Sequence, residues 1–285
     1  MTVSLSRAPS SELMSLKAAA TILRRPKGVP SIPPLSVRLN GARASSSQLS
    51  AYRELCGFAD SRTLPITFPH IMAAGLLLHL LTQPEFPLPL LGLVHLRNRI
   101  EQLRGIGTGE ALDIELRLDA AREVRLGLEF DLITEVSVDG ERVWREVMTN
   151  LYRLPAPKSA SSPPPAGAQL ADYLPFTAPA DIGRRYAAVG KDYNPIHLTP
   201  LSARLFGFKR HIAHGMWSLA RCAALLSERL ETEPRLLEVA FRQPLFLPGR
   251  ATLKFAHAVG VSQAGIDFEL LSARDGKVHL QGALR

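Results

Sequence analysis

Two short stretches organise this sequence: Asp192-Tyr-Asn-Pro-Ile-His197, and Ile212-Ala-His-Gly-Met216 fifteen positions further on. Asn and Pro favour a tight turn, and Pro195 moves the residue before it out of helical geometry. The turn should bring the carboxylate and the imidazole together, and these two side-chain types suit proton transfer near neutral pH. Gly215 opens an apolar, helix-like run, and the first N–H groups of a helix are free to bind an oxyanion. An acid–base pair beside such donors is what addition of water to a polarised double bond requires.

Composition describes a globular protein with an excess of basic residues. The 285 residues are 46% hydrophobic and 21% charged, which allows two ordinary domains or one large one. Thirty-four Lys and Arg against 26 Asp and Glu give a net charge of +8. This charge suits nucleic acid, coenzyme A phosphates or an acidic carrier protein, or is simply a solvated basic surface. No nucleic-acid-binding motif accompanies it, so nucleic acid is not expected as a partner.

The expected location is the cytoplasm. The N-terminus lacks the apolar core of a secretory signal, and prolines and a glutamate interrupt the most apolar run, 73–96, so no membrane span is expected. The two cysteines, Cys56 and Cys222, lie in apolar helix-like surroundings far apart in the sequence. They are expected to be buried free thiols.

The residue pattern predicts an α+β protein. Residues 1–34 read as a peripheral N-terminal extension with a short helix over 12–25. In the first half, the patterns predict strands at 35–39, 111–118, 126–138 and 143–151 and helices at 48–58 and 69–81. A linker rich in Pro, Ser and Ala spans 153–171. In the second half they predict a helix at 181–189, a buried helix from His214 to about 230, and strands at 236–246, 251–259, 266–273 and 278–284.

The two halves repeat one another. Each half ends in a strand–Asp-Gly–strand hairpin, with Asp139-Gly140 in the first and Asp275-Gly276 in the second. Further matches run in a consistent order: 94–98 with 239–243, 103–105 with 247–249, Tyr52 with Tyr186, Ala74 with His214 and Gly75 with Gly215. Two copies of one α+β unit are therefore expected, each a long buried helix wrapped by an antiparallel β-sheet.

The two motifs together resemble those of the MaoC-like dehydratases, which include R-specific enoyl-CoA hydratases and 3-hydroxyacyl-thioester dehydratases. The resemblance is sharp over about 181–220 and implies a double hotdog fold. It implies a degenerate, non-catalytic repeat at 35–152 and a catalytic repeat at 172–285. The implied activity is that of a hydro-lyase of fatty-acid metabolism, which hydrates trans-2-enoyl thioesters and dehydrates (R)-3-hydroxyacyl thioesters. The thioester would be carried by coenzyme A or by an acyl carrier protein, with no other cofactor.

The resemblance also implies residue roles. Asp192 and His197 would hold and activate the water, the N–H of Gly215 would bind the thioester oxygen, and Asn194 would shape the site. We expect His214 to be a structural residue at the helix start. Two positions depart from the family pattern, because Lys191 replaces a small Gly before the Asp and Thr199 an acidic residue after the His.

The first repeat lacks the acid–base pair. Asp60 has no His at the corresponding position, and Ala74 stands where the second repeat has His214. This copy is therefore expected to leave room for the acyl chain and not to carry out the chemistry.

Several assignments stay open on the sequence. Five cations near the motif could meet the phosphates of coenzyme A or of a phosphopantetheine arm, or form a solvated surface: Arg184, Arg185, Arg204, Lys209 and Arg210. His211 and His214 lack an ordered third ligand, so no metal site is expected. Tyr186 is expected to pack and not to react. A thioesterase and a non-catalytic acyl-thioester-binding subunit remain alternative functions. A homodimer also remains open, although the duplication could make one chain self-sufficient.

Overall fold

Eleven β-strands form one sheet in the described part of the chain. The computed structural model describes residues 28–154, 170–258 and 265–285, together with residues 2–5, 7, 9, 14, 17, 18, 20–24 and 26. The strands are β1 (Thr2–Leu5), β2 (Ser36–Ala42), β3 (Val94–Gln102), β4 (Leu112–Val124), β5 (Gly127–Val138), β6 (Glu141–Arg153), β7 (Asp172–Ala178), β8 (Leu236–Phe241), β9 (Gly249–His257), β10 (Ile266–Ser272) and β11 (Val278–Leu284). The helices are α1 (Ser46–Cys56), α2 (Phe68–Thr82), α3 (Ile182–Gly190), α4 (Pro195–Leu198), α5 (Pro200–Arg204) and α6 (Gly215–Ser227).

The strand order repeats between the two halves of the chain. The order across the sheet is β1-β2-β4-β5-β6-β3-β8-β11-β10-β9-β7. Next to the edge strand β1, the first half runs inward as β2-β4-β5-β6-β3, and from the opposite edge the second half runs inward as β7-β9-β10-β11-β8. The two halves join where β3 pairs antiparallel with β8, so that Asn98 lies opposite Val239.

The long helices α2 and α6 are both largely buried, as their apolar sequences predict. Their side chains belong to one hydrophobic cluster that runs through both halves, from Val37 to Leu284. The hairpin between β5 and β6 turns at Asp139-Gly140, where φ is 51° and 83°. Positive φ at both central residues is the geometry that makes Asp-Gly a hairpin signal.

The N-terminal extension is not peripheral where it is described. β1 pairs in parallel with β2 and so extends the sheet. Arg24 donates hydrogen bonds to four backbone carbonyls, including those of Leu81 at 2.9 Å and Gln83 at 2.9 Å. These carbonyls lie at and beyond the end of α2, where helix carbonyls lack partners in the helix. The helix predicted over 12–25 falls mostly outside the described residues, apart from a short 3₁₀ turn at Thr21–Leu23.

Most predicted elements match the structure, but several differ. Strands β1, β3 and β7 and the short helices α4 and α5 were not predicted. Helix α6 ends at Ser227 instead of near residue 230, and β8 ends at Phe241 instead of at residue 246. The predicted linker lies almost entirely outside the described residues. Both cysteines are free and buried, as expected. In the described part of the chain, no helix is both long and apolar enough to cross a membrane.

The residue matching between the two helices needs correction. α6 starts at Gly215 with His214 as N-cap, whereas α2 starts at Phe68 with Thr67 as N-cap. Gly75 is the eighth residue of α2, so its predicted equivalence with Gly215, and that of Ala74 with His214, is wrong. The error arose because Phe68-Pro69 starts the helix without a glycine; Pro is favoured in the first turn.

Candidate active site

The acidic residue of the site follows the C-terminus of α3. Lys191 ends this helix in the left-handed conformation, with φ of 59°, and its N–H donates to Ala187 O. In the first half, Gly57 ends α1 in the same conformation, five residues after Tyr52 as Lys191 is five after Tyr186. This geometry places Phe58, and not Asp60, at the position equivalent to Asp192. Lys191, where the family resemblance leads us to expect a Gly, thus ends a helix in a conformation that is strained for a non-Gly residue.

The Asn-Pro turn brings the predicted pair together. The N–H of Asn194 donates to Asp192 Oδ1 at 3.1 Å, and Asn194 then caps the short helix α4 by accepting from the N–H of Ile196. His197 lies in α4, one residue before its end. One oxygen of Asp192 and ring nitrogens of His197 and His214 lie within 4.8 Å of one another. The expected juxtaposition of carboxylate and imidazole is therefore present in the structure.

One nitrogen of His197 is fixed by the backbone. Its Nδ1–H donates to the carbonyl of Ile212 at 2.9 Å, which leaves the lone pair on Nε2. The His197 side chain is buried, with 8% of the residue exposed, whereas 54% of the Asp192 side chain is exposed. Solvent therefore reaches the Asp192 carboxylate, whereas the His197 imidazole is buried.

His214 is the N-cap of α6 and supports the pair. Its ring stacks on that of His197, with centroids 3.7 Å apart, and its Nε2 bonds the backbone carbonyl of Asp192 at 3.0 Å. The ring of Tyr186 also packs against that of His214, with centroids 4.9 Å apart. In the described part of the chain, His214 Nδ1 and the Tyr186 hydroxyl are buried without hydrogen-bond partners. A water or a substrate oxygen would satisfy such atoms.

The electrostatics of the site favour a carboxylate beside neutral imidazoles. Although 54% of the Asp192 side chain is exposed, the protein around its carboxylate displaces part of the water, which raises its pKa; the imidazoles of His214 and His197 lower it by more, so the pKa of Asp192 lies below the ordinary value. Burial lowers the pKa of His197 by more than the Asp192 carboxylate raises it. Burial also lowers the pKa of His214. At pH 7 the Asp192 carboxylate and the neutral imidazoles of His197 and His214 are therefore all in proton-accepting forms.

Gly215 is the first residue of α6, at the helix start that the motif predicts. As the first residue of α6 it has no carbonyl one helical turn back for its N–H, and the positive end of the helix dipole lies there. A Cβ at this position would come within 2.9 Å of the Phe241 ring. A glycine is therefore needed for the close approach of α6 to β8.

The same three side chains lie at a spacing that a metal ion could use. Nδ1 of His197 and Nε2 of His214 bond to backbone carbonyls, which leaves a lone pair on Nε2 of His197 and on Nδ1 of His214 for a proton or another ligand. His211, which the sequence offered as a second ligand beside His214, has its Nε2 on the carbonyl of Ala180 at 2.8 Å and is not part of the cluster.

Comparison with known proteins identifies the family of this chain. A family model described as "MaoC like domain" matches residues 164–264. The 3-hydroxyacyl-thioester dehydratase X of Mycobacterium tuberculosis is 34% identical over 287 aligned positions, which cover 97% of this chain and 98% of that protein. The chain belongs to the MaoC-like dehydratase family.

Two further comparisons support the family assignment. A crystal structure of HtdX from Mycobacterium tuberculosis has a TM-score of 0.74 at 32% identity and covers 87% of this chain and 98% of its own. An (R)-specific enoyl-CoA hydratase of Aeromonas caviae is 31% identical over 70 residues, which is 24% of this chain and 52% of that protein.

The first half of this MaoC-like chain contributes a polar cluster that the sequence analysis missed. His70, in the first turn of α2, bonds through Nδ1 to Glu146 of β6 at 2.9 Å. Asn98 of β3 donates to the same carboxylate at 2.7 Å. Only 1% of the Glu146 side chain and 14% of the His70 side chain are exposed. The sequence does contain a pattern that could have predicted this buried glutamate: Glu146 lies between Trp144 and Met148 on the apolar face of β6.

The charged forms of His70 and Glu146 stabilise each other, and His70 is electrostatically coupled to Asp192. Burial would lower the pKa of His70, but the charge and hydrogen bond of Glu146 raise it by more, and the charge of Asp192 adds to this. Burial would raise the pKa of Glu146, but His70 and Asn98 lower it by more. The first half of the chain therefore places a histidine and a glutamate that stabilise each other's charged forms where their charges also act on Asp192.

The five predicted phosphate-binding cations all lie on the surface around the turn. Arg184 and Arg185 belong to α3, Arg204 ends α5, and Lys209 and Arg210 follow it; all five are exposed. A concavity of about 630 Å³ lies elsewhere, on the outer face of the sheet between β3, β8, β10 and β11, and no residue of the acid–base cluster lines it.

Proposed function

We propose that this chain is a hydro-lyase that adds water to trans-2-enoyl thioesters and removes it from (R)-3-hydroxyacyl thioesters in fatty-acid metabolism. The observation that carries the proposal is the placement of Asp192 and His197 within 4.8 Å of each other, beside the start of α6. The printed names of the two relatives, a 3-hydroxyacyl-thioester dehydratase and an (R)-specific enoyl-CoA hydratase, support the same reaction. The substrate would arrive on coenzyme A or on a phosphopantetheine arm, and no other cofactor is required.

The proposed architecture is a double hotdog in which the second repeat, 172–285, is catalytic and the first, 35–152, is not. The matched strand orders on either side of the β3–β8 pair support two repeats. Phe58 stands where the second repeat has Asp192, which supports the loss of acid–base chemistry in the first repeat. The first repeat would line part of the acyl site and bring His70 and Glu146 to its wall.

In the hydration direction, the carboxylate of Asp192 and Nε2 of His197 hold one water. The water oxygen attacks C3 of the enoyl group while Nε2 of His197 takes a proton, and the imidazolium formed then returns a proton to C2. Charge that develops on the thioester oxygen is stabilised by the N–H of Gly215 and the positive end of α6. Dehydration is the reverse path, so one proton is taken and one returned in either direction.

The role assigned to His197 follows from its hydrogen bond. Because Nδ1–H is committed to Ile212, only Nε2 has a lone pair for the proton, and the lowered pKa keeps that lone pair free at pH 7. Asp192, ionised at pH 7, orients the water and stabilises the imidazolium. His214 holds the Asp192 backbone and stacks on His197, so it acts as a positioning residue.

The direct test follows the purified protein with crotonyl-CoA. Loss of the conjugated thioester absorbance without release of free thiol supports the hydratase, whereas thiol release would instead identify a thioesterase. Neither signal, with enoyl-CoA of several chain lengths or with enoyl groups on a carrier protein, would favour the binding subunit and contradict the proposal. A chelator should leave the rate unchanged if the cluster works as an acid–base pair.

Substitution of the pair should lower turnover without unfolding the protein. We expect His197→Ala and Asp192→Asn each to reduce kcat by about 10²- to 10⁴-fold, the usual contribution of a positioned proton-transfer group. The matched control is Asp60→Asn, since the Asp60 side chain is 96% exposed and pairs with Arg53 on the surface. Folded His197 and Asp192 variants with unchanged rates would refute this site.

The cytoplasmic location predicted from the sequence stays part of this proposal. The two unpaired, buried cysteines support it, because free thiols persist in a reducing compartment. Self-association as a homodimer is measured in the experiments below.

A further inference from the structure

Two leucines form an exposed apolar ridge next to the acid–base site. Leu201 is 72% exposed and Leu205 is 79% exposed. They are four positions apart, on α5 and its C-terminal cap, so their side chains share one face of the helix. Single exposed leucines are ordinary on a protein surface, but two neighbours this exposed form a continuous apolar feature. We refer to Leu201 and Leu205 as the leucine ridge.

The leucine ridge is rigidly connected to the catalytic turn. α5 begins three residues after His197 and is capped reciprocally by Thr199 and Ser202, whose side chains bond each other's backbone N–H. The Ser202 hydroxyl also donates to the carbonyl of Pro195, inside the turn, at 2.7 Å. A partner that binds the ridge would therefore be held close to the site.

The surface around the leucine ridge is strongly cationic. Residues 182–227 contain seven Lys and Arg but one acidic residue, Asp192. Arg221 points inward to the carbonyl of Cys56. The five exposed cations around the ridge are Arg184, Arg185, Arg204, Lys209 and Arg210. This local excess of positive charge is large compared with the +8 of the whole chain and selects an anionic partner.

The ridge distinguishes between the two carriers of an acyl thioester. The phosphates of free coenzyme A would satisfy the cations, but they offer no apolar side chains to cover two leucines. An amphipathic helix with acidic flanks offers both, because its apolar stripe can cover the leucines while its carboxylates face the arginines and lysines. Burial of the two leucines also adds the apolar contact that exposed ion pairs alone do not provide.

We propose that the leucine ridge and the five cations around it form the docking surface for an acidic carrier protein, which presents its acyl group on a phosphopantetheine arm. This inference rests on the proposed function, since it names the carrier of that substrate. The helix of the carrier covers Leu201 and Leu205, and the arm passes the turn at Asn194 to reach Asp192 and His197.

A binding measurement tests the docking surface without requiring catalysis. The probe is an acidic acyl carrier protein that bears a butyryl group, which has no double bond to hydrate, and the readout is its Kd for the full-length chain. Leu201→Ser combined with Leu205→Ser should raise Kd at least 10-fold. Leu103→Ser combined with Leu126→Ser is the matched control, since these leucines are also exposed but lie in the first half. Binding should weaken as salt rises. An unchanged Kd in the ridge variant would overturn the proposal.

A kinetic measurement separates this inference from the proposed function. Crotonyl groups are supplied on the carrier protein and on coenzyme A, and the ratio of the two kcat/KM values is compared between wild type and the ridge variant. In the ridge variant, kcat/KM for the carrier-bound substrate divided by kcat/KM for the coenzyme A substrate should be at least 10-fold lower than in wild type. Equal losses on both substrates would overturn the docking surface, because the ridge would then act on the site itself. A wild-type protein inactive on both would refute the proposed function, while the binding result would still decide the docking surface.

The oligomeric state decides between a carrier and a second copy of the chain. Analytical ultracentrifugation of wild type and the ridge variant should give the same mass. A wild-type dimer that becomes monomeric in the ridge variant would identify the ridge as a contact between copies and overturn the proposal.

Discussion

At the scale of single residues, the hydrogen bond from His197 to Ile212 decides which atom is available for chemistry. A histidine in water exchanges its proton between two nitrogens, but here Nδ1–H is fixed on a carbonyl, so Nε2 is the basic atom. Burial keeps the imidazole neutral, and the adjacent imidazoles keep Asp192 ionised. The active form of the pair is thus a carboxylate beside a neutral imidazole.

The pH dependence of hydration follows from the lowered pKa values of Asp192 and His197. Activity needs Asp192 ionised and His197 neutral, so it is present above both pKa values and is lost as the pH falls through them. Since both pKa values are shifted downward, we expect the acid limb of kcat/KM for crotonyl-CoA to have its midpoint below about 6.5, the ordinary histidine value. A midpoint above pH 7 would show that one of the two groups is not the titrating base.

The sequence predicted this pair but not the way in which it is held. Asp192, Asn194 and His197 were found from side-chain chemistry and the turn preference of Asn-Pro, which are local properties. The stacking of His214 on His197 and the carbonyl of Ile212 under Nδ1 come from chain segments fifteen or more residues away, whose approach depends on tertiary packing. The left-handed conformation of Lys191 could not be predicted either, because Lys rarely adopts a positive φ and only the backbone of the structure shows it.

At the scale of elements, the position of the catalytic turn depends on α3 as a support. Gly183, in the first turn of α3, lies so close to the carbonyl of His197 that an added Cβ would come within 1.9 Å of that oxygen. Backbone cannot rotate away as a flexible side chain can, so Gly183→Ala must displace either α3 or the turn. We expect Gly183→Ala to lower kcat by at least about 10-fold, because small misplacements of reacting groups are costly.

The matched control for this element is Gly109→Ala. A Cβ at Gly109 would meet nothing within 4 Å, and its φ is not positive. This variant should keep the activity and the thermal midpoint of the wild type. If Gly183→Ala were as active as Gly109→Ala in the crotonyl-CoA assay, the turn would not depend on contact with α3.

Two of the three strands that the sequence missed, β1 and β7, lie at the edges of the sheet. β7 contains Pro175, which cannot donate a ladder hydrogen bond and therefore weakens a strand prediction, yet an edge strand tolerates it. β1 pairs only with β2 and has no hairpin partner next to it in the sequence. The other internal strands and both long helices could be predicted because their apolar periodicity is strong. The internal strand β3 was missed, since charged and polar residues make up most of its sequence. Register across the β3–β8 junction could not be, because it joins residues about 140 positions apart.

At the scale of the whole molecule, the two halves are interlocked and not merely adjacent. Gln48 of α1 donates to the carbonyl of Val189 at the end of α3, at 2.7 Å. Trp217 of α6 donates to the carbonyl of Leu55 in α1. Helices of each half therefore hold helices of the other, and the shared sheet adds the β3–β8 pair. The first half consequently positions the site although it lacks the acid–base pair.

The His70–Glu146 pair is the contribution of the first half that stability measurements can isolate. At pH 6, His70→Leu should lower the free energy of unfolding by about 3–5 kcal/mol, because it leaves the Glu146 carboxylate buried without a countercharge. His70→Leu combined with Glu146→Leu should recover much of this loss, since no buried charge then remains. As a control, Arg38→Ala breaks the exposed pair with Glu115 and should cost less than about 1 kcal/mol.

The pKa shifts of His70 and Glu146 predict how their contribution to the free energy of unfolding depends on pH. This dependence distinguishes a charged pair from packing alone. The raised pKa of His70 stabilises the fold fully below its unfolded value of about 6.5, and this contribution is lost as the pH rises through the folded pKa. The lowered pKa of Glu146 stabilises the fold above its unfolded value of about 4.3, and that contribution is lost as the pH falls through the folded pKa. Urea unfolding should therefore show the largest advantage of wild type over the double variant between these values, with a decline at alkaline pH. An advantage that stays constant from pH 5 to pH 9 would mean that the two side chains stabilise the fold by packing alone, and the first half would then bring no charged pair to the wall of the site.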